Sequence, residues 1–177
     1  MMAAFDLLTA PSGPVLAVFP EVLEDESAEP LACTIPPRFD PNLHPAIDEA
    51  QGIRAAYERT VERRGVTSVG RTGDADVIPE VIEALIRIGE GTAFPEAGMP
   101  GGDILAGAMD IRCYYEEAAQ SLADHTPGAR QVDTWLYQET EVGKVMHAAQ
   151  KALSEDEAVP RPMWFFLVPL DQSHIEG

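Results

Sequence analysis

Apolar residues recur at helical spacing in four stretches of this chain. In the first, Ile47, Ala50, Ile53, Tyr57 and Val61 form one stripe and predict a helix over 46–64. Pro45 stands at its start and Gly65 at its stop. In the second, Val77, Ile78, Val81, Ile82, Leu85, Ile86 and Ile88 cover about half of a helical circumference. That helix, over 77–88, is expected to be the most buried. Asp76 is its candidate N-cap, Pro79 lies in its first turn, Gly89 can close it, and Glu80, Glu83 and Arg87 mark its solvent side. The third stretch runs from a capping Asp103 to about residue 123, with Ile104, Ala108, Ile111, Tyr115, Ala118 and Leu122 as its seam. The fourth, over 131–153, carries Val132, Trp135, Leu136, Val142, Met146, Ala149 and Leu153 on one face.

The connections differ in length. Thr126, Pro127 and Gly128 make a short turn, so the third and fourth helices are expected to pack antiparallel. Residues 66–73 are small and polar, and 91–102 are rich in glycine and proline. Residues 1–45 read as a Pro-rich, acidic extended arm, and 154–177 as an apolar extended tail behind an acidic break. Residues 15–19 and 163–168 are both apolar runs without helical length, and they could form one short strand pair. The fold class expected is mainly α: a four-helix bundle-like domain over 46–153 with extended N- and C-terminal segments. No internal repeat is visible.

Composition narrows the partners. Thirty acids against 12 bases give a formal net charge of −18. Such a chain repels nucleic acid and anionic membrane surfaces, so neither is expected as a partner. A protein partner with a basic surface fits, as do high solubility and a salt-rich environment. No apolar run approaches the roughly 18 residues of a membrane span. Residues 1–10 hold Asp6 and no Lys or Arg, unlike a secretory signal, and the two cysteines could form one bridge at most. The expected compartment is the cytoplasm, with Cys33 and Cys113 reduced.

One residue interrupts the pattern. Glu139 falls near the centre of the fourth apolar stripe, and an unpaired buried carboxylate is costly. It therefore calls for a partner, a raised pKa or a task. Arg54, Arg112 and Tyr115 lie in or beside the stripes of other helices and are its candidate partners. The simpler reading is a core polar group that fixes helix register. The functional reading is a ligand pocket with Glu139, Tyr57, Tyr115, Trp135 and Met146 around it, and with Arg54 or Arg112 orienting an anion.

Other chemistry finds less support. No Glu has a His three residues on, as a di-metal carboxylate bundle needs, and no metal or cofactor is expected. Cys113 is expected on the outer face of its helix beside Arg112, without a local histidine to activate it. The glycines at 98, 101 and 102 precede a helix but lack the lysine and spacing of a phosphate loop. Arg54, Arg59, Arg63, Arg64 and Arg71 make a local basic spot, interleaved with Glu58 and Glu62. Trp164, Phe165 and Phe166 in the tail either pack across the helices or form an exposed contact surface, which would also permit homo-oligomers. The sequence thus leans away from catalysis. It suggests an acidic accessory subunit or assembly factor acting through protein–protein binding. The alternative is a small enzyme or ligand-binding bundle with Glu139 in an internal pocket.

Overall fold

The computed structural model describes residues 31–169 together with Pro11, Gln172 and Ser173. The segments 15–19 and 21–29, read above as a strand candidate and an acidic tract, lie outside the described residues, as does His174. The described chain is mainly helical and contains no strand. None of its helices is long and apolar enough to cross a membrane.

The first predicted helix is two helices. α1 spans Pro45–Gly52 and α2 spans Arg54–Arg64. His44 caps α1, its Nδ1 accepting from the Ala46 amide at 3.2 Å. Ile53 stands between the two helices with φ −86° and ψ −2°. The amides of Ala56 and Tyr57 both reach its carbonyl, so the chain bends there without coming apart. Ala50, Ile53 and Tyr57 of the expected stripe are buried, Ile47 and Val61 pack at its edge, and the buried face extends beyond it to Ala46, Asp48, Glu49, Ala56 and Thr60. Gly65 closes α2 in the left-handed region at φ 71°, its amide bonded to the Val61 carbonyl at 2.7 Å.

A short 3-10 turn, Ala75–Val77, leads into α3, Ile78–Gly89. Asp74 caps that turn by accepting from the Asp76 amide, and α3 follows from Val77 without a side-chain cap, so Asp76 is not its cap. Ile78, Val81, Ile82, Ala84, Leu85 and Ile88 are all buried. Gly89 serves close approach: a Cβ there would meet the Ala148 Cβ at 3.1 Å. α4, Ile104–Leu122, starts on Asp103, whose carboxylate accepts from Leu105 and Ala106 as expected.

The fourth predicted helix is broken. α5 covers Ala129–Thr134, a single π turn covers Trp135–Glu139, and α6 begins afresh at Glu141 and runs to Glu155. Thr140 turns the chain with extended backbone, φ −93° and ψ 157°. Its hydroxyl donates to the Leu136 carbonyl at 2.6 Å and accepts from the Gly143 amide at 2.9 Å. Trp135, Leu136, Val142 and Met146 stay buried across the break.

The closest helix pairs are α2 with α4 and α3 with α6. α4 and α6, expected as an antiparallel pair, thus take other main neighbours. α1 packs on α6 and α3, and Thr60 bonds Ser121 across α2 and α4 at 2.6 Å. Residues 163–168 are not a strand. Arg161–Phe165 form a short helix, α7, with Pro162 in its first turn, and the Leu167 amide closes a turn on the Trp164 carbonyl. Leu31, Leu167 and Val168 are buried in the same core as the helices. Side chains of this size stabilise by about 1.5–3 kcal/mol each when buried.

Candidate functional site

Glu139 is exposed, contrary to its place in the stripe. The π turn and the restart at Thr140 rotate it out of the face that Trp135 and Leu136 bury. None of its expected partners reaches it. Arg54 pairs with Glu58 at 2.7 Å and Asp76 at 2.8 Å, and lies 5.8 Å over the Tyr57 ring. Arg112 pairs with Glu116 at 2.7 Å and Asp133 at 3.0 Å. Tyr115 donates to Glu49 at 2.9 Å and packs its ring beside Tyr114 and Trp135. The four residues do not form one site.

The buried carboxylates are others: Asp48, Glu49, Asp110 and Glu117. Asp48 accepts from the amides of Phe39 and Asp40, and so ties the chain before α1 to that helix. Glu49 accepts from Tyr115 and from the amides of Glu141 at 2.9 Å and Val142 at 3.2 Å, the unpaired donors that open α6. Burial pushes its carboxyl up, the three hydrogen bonds pull it back, and the result lies above the usual glutamate value. Burial and the neighbouring Glu49 carboxylate hold Tyr115 well above an ordinary phenol.

Asp110 and Glu117 hold the loop between α2 and α3 onto α4. Asp110 is fully buried and accepts from the amides of Gly70 at 3.1 Å, Arg71 at 2.8 Å and Thr72 at 2.7 Å. The Thr72 hydroxyl at 2.9 Å and the Arg71 guanidinium at 3.2 Å complete its set. Burial opposes its ionisation, but the Thr72 and Gly70 amides, the Thr72 hydroxyl and Arg71 prevail, and its pKa falls below the usual range. Glu117 accepts from the Thr67 hydroxyl at 2.7 Å and the Ser68 amide at 2.8 Å, with Arg64 at 3.4 Å. These contacts commit Arg64 and Arg71 of the basic spot, and Arg63 reaches the Gln120 carbonyl.

Under this loop lies Cys113, which is buried and not on the outer face. Burial pushes its thiol up, against the pull of Arg71, whose Nη1 stands 3.8 Å from Sγ. Cys33 is half-buried, and burial together with the Glu139 charge pushes it up to about 11. Both thiols are therefore poor nucleophiles at neutral pH. Among the described residues, no three His, Cys, Asp or Glu side chains gather as a metal site would need.

Two of the concavities on the surface bear on binding. One, of about 260 Å³, lies between the start of α1, the end of α3 and α6, with His44, Glu90, Glu141 and Lys144 near its mouth. The other, of about 390 Å³, lies between α4 and α7. Ala108, Met109 and Arg112 come from α4, Tyr137 from the π turn, and Phe165 to Pro169 from α7 and the turn after it. Phe166 is 67 % exposed and Met109 40 % exposed, while Leu167 and Val168 are buried at its floor. Trp164, Phe165 and Phe166 stack edge to face in series, and Arg161 lies over the first two rings.

The sequence signals for this arrangement are uneven. Glu49 is legible as a buried acid once Ala46, Ile53 and Thr60 are taken as the face. Asp110 and Glu117 sit on a second face of α4 that α2 and the overlying loop cover together, and their polarity hides it from an apolar pattern. Comparison of the chain with protein-family models, curated proteins and solved structures gives no match.

Proposed function

We propose that this protein is a non-catalytic, acidic accessory subunit or assembly factor that works by binding another protein. The observation that carries the reading is the apolar groove between α4 and α7, with Phe166 and Met109 exposed at its edge. Large exposed aromatic side chains beside an apolar groove cost solubility and mark contact surfaces. The buried carboxylates support the same reading. Each accepts from backbone amides of a neighbouring segment, so their hydrogen-bonding capacity goes to holding the fold. The helical part is read as a four-helix bundle-like body made of α2, α3, α4 and α6. Of the arm and tail, the described residues 31–45 and 156–169 flank this body, and the cytoplasm is the proposed compartment.

The test is affinity purification of the tagged protein in low and high salt. One protein should be retained in stoichiometric amount at low salt and released at high salt. Phe166→Asp should lower its yield about tenfold without moving the melting temperature, because the side chain is exposed. Failure to retain any protein at low salt, or full retention by the variant, would sink the reading.

A further inference from the structure

α3 and α6 end side by side. Gly89 on α3 closely approaches Ala148 on α6, and the chain past each point turns around one concavity of about 210 Å³. Ile88, Phe94, Ala152 and Leu153 give it apolar walls, and Glu155 and Asp156 line it with carboxylates. We propose that this concavity receives an arginine side chain of the partner protein. The arginine methylenes would lie against the apolar walls, and the guanidinium would meet Glu155 and Asp156. This step rests on the binding function proposed above and adds a contact apart from the groove between α4 and α7.

Three observations favour this occupant. The first is the sign of the charge. The C-terminal end of a helix carries partial negative charge and favours cations. α6 has no basic residue in its last turn, ends on Glu155 and has Asp156 as its cap. α3 has Glu90 as its cap, and Arg87 of its last turn is taken by Glu83 and by the Ala97 carbonyl. The acids thus stand where helix stability calls for cations, and a local rule broken in this way is expected at a functional site. The second is that the charge is left unanswered. Asp156 accepts from the Ala158 amide at 2.9 Å, Lys144 pairs with Glu141, and Lys151, one turn before Glu155, is exposed. Among the described residues, neither Glu155 nor Asp156 is in an ion pair. The third is the division of the walls. Ile88 and Leu153 are buried, whereas the two acids are exposed. A long basic side chain matches that division, with its apolar stem on apolar surface and its charged end toward water. A guanidinium fits better than an ammonium. It is less strongly hydrated, stacks on an aromatic wall such as Phe94, and serves carboxylates with a planar fork.

The experiment uses the full chain at low salt and three capped glycine-flanked peptides, with arginine, lysine or citrulline at the centre. Citrulline keeps the shape of arginine without its charge. Binding is read by amide chemical shifts. The arginine peptide should bind at least about tenfold more tightly than the citrulline peptide, and more tightly than the lysine peptide. Shifts should centre on Ile88, Gly91 to Phe94 and Ala152 to Asp156. The double variant Glu155→Gln, Asp156→Asn should cost the arginine peptide about tenfold, while the charge-matched Glu62→Gln, Glu80→Gln should cost it far less. The first double variant should leave the melting temperature unchanged or raise it, because it removes acids from a helix C-terminus. Equal binding of the citrulline or lysine peptide, shifts centred elsewhere, equal loss in both double variants, or a fall in melting temperature would each overturn the proposal. A partner from the low-salt purification whose yield Glu155→Gln, Asp156→Asn leaves unchanged overturns this inference and leaves the binding function standing. Absence of any retained partner overturns that function itself.

Discussion

Glu49 joins three helices through one carboxylate: its own α1, Tyr115 on α4, and the opening amides of α6. Glu49→Gln keeps the shape but replaces one acceptor oxygen by a donor facing those groups. It should cost about 1–3 kcal/mol in urea unfolding. The pH dependence has a definite sign. The folded carboxyl lies above its ordinary value, so the folded state holds its proton longer than the unfolded chain does. Its contribution is then fully present below the unfolded value and is lost as pH rises through the folded one. The stability gap between wild type and Glu49→Gln should therefore shrink as pH rises above the ordinary glutamate range. Asp110 works in the opposite sense, because its carboxyl lies below the usual range. Its contribution is present above the unfolded aspartate value and is lost as pH falls through the folded one. Asp110→Asn should cost about 3 kcal/mol near neutrality, and the gap should narrow in acid, as unfolding followed by circular dichroism against pH would record.

At the scale of elements, the break between the π turn and α6 depends on two small features. Gly143 sits where a Cβ would collide with the Leu136 carbonyl oxygen and crowd the Tyr137 backbone. Thr140 spans the turn with its hydroxyl. Gly143→Ala should therefore destabilise by about 3 kcal/mol, although alanine is the better helix former, and Thr140→Val by about 1–2 kcal/mol. Melting temperatures of the two variants would rank them. A ranking with Gly143→Ala as stabilising would show a continuous helix.

This break also explains what the sequence can and cannot tell. Helical regions and several caps, His44–Pro45, Gly65 and Asp103, follow from local chemistry, and the structure has them there. Whether a helix continues is decided elsewhere, here by Glu49 about ninety residues upstream binding the amides that a continuous helix would have used. An acid in an apolar stripe is as much a sign of a break as of a buried site, and Glu139 is the former. The same holds for α4, whose second buried face is completed by α2 and by residues 67–72.

For the whole molecule, the net charge of −18 works against compactness through self-repulsion. Raising salt from about 0.01 M to about 0.5 M shortens the screening length several-fold, so the melting temperature should rise. The buried carboxylate contacts are screened far less and should not offset that gain. A fall in melting temperature over this range would mean that surface ion pairs such as Arg54–Asp76 outweigh the repulsion. The same salt should weaken partner binding. Stability and affinity are thus expected to move in opposite directions along one axis, which separates them experimentally.

The covered position of Cys113 has a practical consequence. The thiol lies on α4 between Asp110 and Glu117, with Arg71 of the fastened loop 3.8 Å from its sulfur, so its alkylation rate should report the lifting of that loop. With Cys33→Ser removing the competing thiol, labelling of native protein should run far slower than labelling in urea. Asp110→Asn should speed it about tenfold for every 1.4 kcal/mol lost from the fastening. A single sulfur atom then reports, in units of time, the strength of a carboxylate clamp that no reagent can touch directly.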